Sequence, residues 1–373
     1  MVKKFSGERL KICLFGDIAA PHLRRWAVYF FNRGHQVDII TLNEMEADDY
    51  GGANIHIVKK KFSGGGAAAR MINFLPTLQE IKKILKRIRP DLIHGQDAGG
   101  NSWLAALSGF HPLVVTPWGS DILIHAKEDF ISGFFTKYAL KKADLILCDG
   151  ANIRDEMIKM GILNSKIKIF AFGVDVEKFR PALKESKRRK IIVSTRFLTA
   201  VHDVETLVRA VPLVVKDFPE VKFIIIGDGN KKFFLERLAC GEGVGEFIEF
   251  VGRVTEAQMA QYLRSSDIYV STSLSESGLA ASTAEAMACE LPVINTDTGD
   301  IRSWIQDGKG GFVIPVKNPN ILAEKLIYLL KNDSWRLAFG KNNRKIIEEK
   351  NNYRKEMADV EIIYKSIIKG YAI

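Results

Sequence analysis

No apolar run in the sequence approaches the ~18 residues that span a bilayer, so a soluble or peripheral protein is expected. Cysteine is scarce. The four present (Cys13, Cys148, Cys240, Cys289) are far apart, which gives neither a disulfide framework nor a zinc-type spacing. Buried free thiols in a reducing compartment are expected. No Walker loop, short-period repeat or low-complexity tract occurs, and Gly16 is the sole glycine in the first turn, so a dinucleotide fingerprint fails. The N-terminal MVKKFSGERLK turns polar before any apolar run develops, and no signal peptide is expected. No acidic metal cluster is evident, and neither a metal nor a cofactor is expected. Positive charge is abundant: 54 Lys and Arg against 44 Asp and Glu, net +10. That balance points to acidic partners such as nucleotide phosphates, anionic headgroups or nucleic acid. The last is not expected, because no recognition module or aromatic-interleaved basic motif accompanies the charge.

What is present is an alternation. Lys11 to Phe15 reads as a strand, Leu23 to Phe31 as a helix and Val37 to Ile40 as a strand, which is a βαβ unit opening a parallel sheet. Strands at Asp91 to His94, Pro112 to Thr116, Ala143 to Cys148 and Ile167 to Phe170 continue it. A charged stretch, Pro181 to Lys190, then marks a domain boundary. A second alternation follows, with strands at Ile191, Val221, Ile248 and Asp267, and helical patterns at Ile321–Leu330, Trp335–Lys350 and Tyr353–Lys369. The expectation is an α/β protein of two doubly wound halves with a cleft between them. Residues 1–180, completed by a C-terminal helix over about 353–373, would form the first domain, and 181–352 the second.

The densest chemistry lies in Tyr269 to Asp300. An apolar strand runs into a polar loop with Glu276 and Gly278, and Ser282-Thr283 then open an Ala-rich helix carrying Glu285. Free N–H groups at such a helix start suit a phosphate, and Glu285 one turn in can accept hydrogen bonds from vicinal hydroxyls. The same residues also read as ordinary capping with a solvated first-turn charge.

Together with Gly173 to Phe179, Ser194 to Leu207, Gly227-Asp-Gly229, Gly252-Arg253-Val254 and Glu285 to Val293, this stretch resembles the retaining glycosyltransferases of family 4. The resemblance covers nearly the whole chain. It implies the GT-B fold and transfer of a sugar from a nucleoside diphosphate donor to an acceptor hydroxyl. By resemblance Arg196 meets the diphosphate, Glu285 the ribose hydroxyls and Glu276 the donor sugar. Gly278, Leu279, Ala280 and Ala281 would offer backbone N–H groups, with Gly227 and Arg253 nearby. His202 stands near the family's usual lysine and is expected to supply a pH-dependent cation. Glu276 lies one residue farther from Glu285 than the family's spacing, with Ser277 at the usual place. Trp118 replaces a family histidine. His22, His94, Trp118 and Asp121 are candidates for acceptor or sugar contacts.

A second feature concerns location. Lys59-Lys60-Lys61 and a small-residue loop from Phe62 to Pro76 precede a helix with Lys82, Lys83, Lys86, Arg87 and Arg89 on one face. That combination reads as a contact with an anionic membrane surface, with Phe62, Met71, Ile72 or Phe74 inserting, or as a solvated basic helix face. A cytoplasmic enzyme, peripheral on the inner face of the cell membrane and acting on a glycan or lipid-linked acceptor, is expected. The alternatives are a nucleotide-sugar epimerase of the same fold and a non-catalytic scaffold that binds nucleotide or lipid.

Overall fold

The structure is a computed structural model that describes residues 8–43, 50–59, 67–182 and 190–371. Lys60, Lys61, Phe62 and the boundary residues Lys184, Lys187, Arg188 and Arg189 lie outside the described residues. The chain forms two compact units: Met1–Phe170 with Ala358–Ile373, and Ala171–Met357. The expected boundary at 180/181 therefore falls inside the second unit, where the segment around Val174 packs. Val174 and Phe179 are buried in that unit's core, and the Val174 N–H donates to the Asn351 carbonyl (2.8 Å).

The first unit is built on an all-parallel seven-stranded sheet: β1 (Lys11–Phe15), β2 (Gln36–Thr41), β3 (Asn54–Ile57), β4 (Leu92–Gly95), β5 (Leu113–Val115), β6 (Leu145–Cys148) and β7 (Ile167–Ile169), ordered β3-β2-β1-β4-β5-β6-β7. The second holds β8 (Ile191–Ser194), β9 (Lys222–Ile226), β10 (Ile248–Gly252), β11 (Ile268–Ser271), β12 (Val293–Thr296) and β13 (Gly311–Ile314), ordered β10-β9-β8-β11-β12-β13, again parallel. Near-continuous Ile, Val and Leu in these strands fits sheets covered by helices on both faces. In each sheet the order reverses beside the first strand, between β1 and β4 and between β8 and β11. Loops leaving the carboxyl ends of strands on either side of such a reversal diverge, which opens a crevice there.

The C-terminal helix Tyr353–Tyr371 completes the first unit through Tyr364, which is fully buried. Its hydroxyl pairs with His94 Nδ1, and His94 Nε2 meets Thr116 Oγ1 at 2.6 Å. Phe30 stacks on Tyr364 and Trp26 meets His94 edge-on, so this histidine is a core residue. Arg33 and Lys365 both pair with the buried Glu361 of the same helix.

Several elements differ from the sequence reading. The expected loop from Phe62 to Pro76 is helical from Ala67, in one helix Ala67–Ile88 that accommodates Pro76. Three alanines at its start, strong helix formers, outweigh the small-residue signal. Strands β3 and β13 and the helix Phe130–Lys142 were not anticipated. Ser282 and Thr283 do not cap their helix, which runs Ala281–Ala288 behind Ala280 with no side-chain cap. Cys13, Cys148 and Cys289 are buried free thiols, but Cys240 is exposed.

Candidate active site

At the order reversal of the second sheet, two loops bring opposite charges together. Arg196 follows β8 and Glu276 follows β11. Their side chains are 10% and 16% exposed and form an ion pair between Nη2 and Oε1. The other arm of the guanidinium, Nη1, donates to Ser282 Oγ at 2.8 Å, in the first turn of the helix Ala281–Ala288. Tyr269, buried on β11, donates its hydroxyl to the same Ser282 oxygen at 3.0 Å. The buried Nε–H of Arg196 has no acceptor among the described residues. A cation therefore sits against a helix N-terminus whose first N–H groups have no side-chain cap, where the aligned peptide dipoles also favour negative charge.

Close backbone contact fixes this geometry. Gly227 has φ +144°, and a Cβ there would lie 2.1 Å from the Arg196 carbonyl oxygen; one on Gly229 would meet the Leu198 carbonyl at 2.3 Å. The Gly-Asp-Gly turn after β9 is thus a clasp on the backbone that carries Arg196. Its glycines are needed for approach. Arg253, expected beside the donor, is 79% exposed and 3.5 Å from Asp228 Oδ2, a solvated pair.

The remaining expected donor residues sit on one loop and helix. Gly278 is buried, Leu279 turns its side chain into the core, and Ala280 and Ala281 lead into the helix, so whatever they offer a ligand is backbone N–H. Glu285 is half-buried on that helix. Ser277 uses its carbonyl to accept the Asp300 N–H at 3.3 Å.

His202 lies in a 3-10 turn after Arg196, with Nδ1 2.8 Å from Thr199 Oγ1 and its ring near Phe197. Burial, and secondarily the Arg196 charge, lower its pKa to about 4. The imidazole is neutral at physiological pH, which corrects the expected pH-dependent cation. A positive neighbour and a dry pocket both oppose protonation.

In the first unit the four candidates separate. His22, in the first turn of the helix Pro21–Asn32, stacks on Trp118 with ring centroids 4.2 Å apart, and Trp118 Nε1 donates to the Gln96 carbonyl. Burial, then Arg25, lower the His22 pKa to about 4. Asp121 is buried and accepts backbone N–H groups of Ala98 (2.7 Å), Trp118 (3.1 Å) and Gly119 (3.0 Å), so it braces the turn after β5. His94 is enclosed in the core, and burial lowers its pKa to about 3, which removes it from the surface and from any ligand role. Ser282 as a partner of Arg196, and Tyr269 as a partner of Ser282, escaped notice. The one legible signal was a tyrosine in an otherwise apolar strand.

The described residues contain no group of His, Cys, Asp and Glu able to hold a metal ion, and no helix long and apolar enough to cross a membrane.

Two parallel, doubly wound units of this kind define a GT-B architecture. Family models match both in succession: Glycosyl transferase 4-like over residues 11–150 and Glycosyl transferases group 1 over 175–346. The chain is a glycosyltransferase of the GT-B fold and belongs to this family-4-like group. It is 28% identical over 335 residues to an uncharacterized glycosyltransferase of Methanocaldococcus jannaschii, covering 88% of this chain and 89% of the relative. It is 27% identical over 327 residues to a phosphatidyl-myo-inositol mannosyltransferase of Mycolicibacterium smegmatis, covering 85% and 82%. The Anabaena protein HepE, solved with UDP-glucose, shares the fold at a TM-score of 0.80 and 15% identity, over 96% of this chain and 100% of that one.

The histidines generate a prediction with a definite sign. His22, His94 and His202 are held neutral in the fold at pH values where an unfolded imidazole, pKa ~6.5, takes up a proton. Their contribution to stability is full above about pH 6.5 and is lost as pH falls towards 4. Urea midpoints should therefore fall steadily over that window, while nucleotide-sugar affinity stays flat between pH 6 and 8. Donor binding that is tighter at pH 6 than at pH 8 would restore His202 as a cation.

Proposed function

We propose that this glycosyltransferase takes its sugar from a nucleoside diphosphate donor held in the second unit and passes it to an acceptor hydroxyl with retention of configuration. The observation that carries the reading is Arg196, held by Ser282 at an uncapped helix start. As the glycosidic bond breaks, negative charge collects on the departing diphosphate, and fixed donors that already face it lower the barrier. The UDP-glucose complex of a fold neighbour supports the donor class.

In the donor-free protein Glu276 occupies Arg196. An arriving diphosphate competes for that guanidinium and satisfies donors that Glu276 leaves unmet. Glu276, once released, is free to accept a hydroxyl of the donor sugar, while Glu285 accepts the ribose hydroxyls. Retention follows if the acceptor attacks on the face from which the diphosphate departs and gives its proton to the leaving phosphate. Arg196 and the helix N–H groups supply the positive field, so the proposed reaction requires no metal.

The acceptor side is proposed to work at an anionic membrane surface, as the mannosyltransferase relative, named for phosphatidyl-myo-inositol, suggests. Phe74, expected to insert, is half-buried against Trp103 and unsuited to that role; the side chains of Met71 and Ile72 lie outside the described residues. A better anchor is the helix Phe130–Lys142, where Phe130 is 88% exposed beside the exposed Ile131 and Phe134. Lys82, Lys83 and Lys86 on Ala67–Ile88 and Lys137 and Lys141 on Phe130–Lys142 are exposed cations of the same unit. Aromatic burial adds attraction that salt does not screen, and each basic residue contributes ~1 kcal/mol near anionic lipid.

Glu285→Ala and Glu276→Gln should each lower turnover with UDP- or GDP-sugars by two orders of magnitude or more, about 3 kcal/mol in barrier, with chelator having no effect. Arg196→Ala alone strands a nearly buried carboxylate and should also cost ~3–5 kcal/mol of stability, so its effect on turnover is read in a Glu276→Gln background. Wild-type turnover in these variants would sink the site assignment, and release of free altered sugar without acceptor would mark an epimerase.

Flotation with phosphatidylglycerol vesicles tests the membrane reading. Binding at low salt that persists in part at high salt is expected, with the persistent part removed by Phe130→Ser and Phe134→Ser. If wild type does not float, or the variants float equally, the helix is an ordinary solvated surface.

A further inference from the structure

Tyr269 is among the largest fully buried side chains of the protein, set in β11 between Ile268 and Val270. Phenylalanine would fill the same space, so packing gives the hydroxyl no purpose. A buried tyrosine hydroxyl usually finds a partner, and here that partner is Ser282 Oγ, the atom that also holds Nη1 of Arg196. The three side chains link the core of the second unit to the start of the helix Ala281–Ala288.

The protons in this link have fixed places. A serine hydroxyl has one proton to give and two lone pairs to accept with. Arg196 only donates, so its Nη1 occupies one lone pair, at 2.8 Å. Tyr269 is 0% exposed and its hydroxyl makes no other hydrogen bond among the described residues, so its proton goes to the second lone pair, at 3.0 Å. The Ser282 proton is left with the one remaining tetrahedral direction. No acceptor among the described residues takes it, and Ser282 is only half-buried, in the first turn of its helix. Without the tyrosine hydroxyl, Ser282 is free to rotate about its own bond and that direction is lost.

Arg196 thereby has one exchangeable arm and one fixed arm. Nη2 pairs with the carboxylate of Glu276, whereas Nη1 rests on a serine whose own geometry is set from beneath by Tyr269. Donors aimed before charge develops need no reorientation when it does.

We propose that Tyr269 is a positioning residue: it turns the Ser282 hydroxyl outward at the uncapped helix start, where that proton joins Arg196 as a donor to a bound diphosphate. The identity of the anion as a departing diphosphate rests on the transfer reading, but the aimed hydroxyl does not.

The test uses anions with and without a nucleoside. Inorganic pyrophosphate, UDP and GDP are titrated by calorimetry into the full chain as wild type, Tyr269→Phe, Ser282→Ala and the double variant. Pyrophosphate and at least one nucleotide should bind wild type, with affinity about tenfold lower in Ser282→Ala, equivalent to ~1.4 kcal/mol. Tyr269→Phe alone should weaken the same ligands, by about fivefold, and should weaken them no further when added to Ser282→Ala, a non-additivity that lost packing would not produce. In turnover, Tyr269→Phe should lower kcat by about tenfold while donor KM changes less than about threefold, because the full diphosphate charge appears only as the bond breaks. If none of the three anions binds wild type, if Tyr269→Phe matches wild type, or if the two losses simply add, the proposal fails. Coupled losses of pyrophosphate affinity in a protein that turns over no nucleotide sugar would uphold the aimed hydroxyl and count against the transfer reading. Turnover with a nucleotide sugar that neither variant alters would do the reverse.

Discussion

The ion pair between Arg196 and Glu276 is the constraint around which the second unit is arranged. Two nearly buried charges on loops from adjacent strands must be held at contact, since either one alone would be stranded in a poorly solvated place. The surrounding loops pack backbone against backbone. Gly227 and Gly229 let one turn lie against the backbone of residues 196 to 198, and Gly299, at φ +59°, lets another lie against the carbonyls of Glu276 and Ser277. Thr272 Oγ1 donates to the Asp203 carbonyl at 2.8 Å and ties the two strand exits together. Such backbone clasps fix a guanidinium more firmly than side-chain packing could, and preorganised charge is what an ionising leaving group needs.

Much of this was legible because its causes are local. Apolar strands alternating with helical periodicity announce parallel, doubly wound sheets, and the switch point places Arg196 and Glu276 without any side-chain information. The helix Phe130–Lys142 escaped notice for a physical reason: its large apolar residues Phe130, Ile131, Phe134, Phe135 and Tyr138 share a face that is partly exposed, while the side that is buried carries only Thr136, Ala139 and Leu140. Strand β3 alternates Asn54 and His56 with its isoleucines and β13 opens on Gly311, so neither reads as a continuous apolar run.

Histidine was the least readable residue. His22, His94 and His202 all follow or end strands in a way that invites a ligand role. Burial alone separates them, and burial depends on distant chain. His94 is closed off by Tyr364, 270 residues further along the chain, and His202 is kept neutral first by its burial and secondarily by Arg196. The consequence in the second unit is a site with a strong cation and a neutral imidazole beside it, whose electrostatics are set by Arg196 and the helix terminus.

The exchange of Arg196 between Glu276 and the donor diphosphate is most directly tested by calorimetric titration of UDP and GDP into wild type and Glu276→Gln. Removing the competing carboxylate should tighten binding of the preferred nucleotide by about tenfold, ~1.4 kcal/mol, even though turnover falls. Equal or weaker binding in Glu276→Gln would mean that the carboxylate does not compete with diphosphate for Arg196, and the account of the site would be wrong.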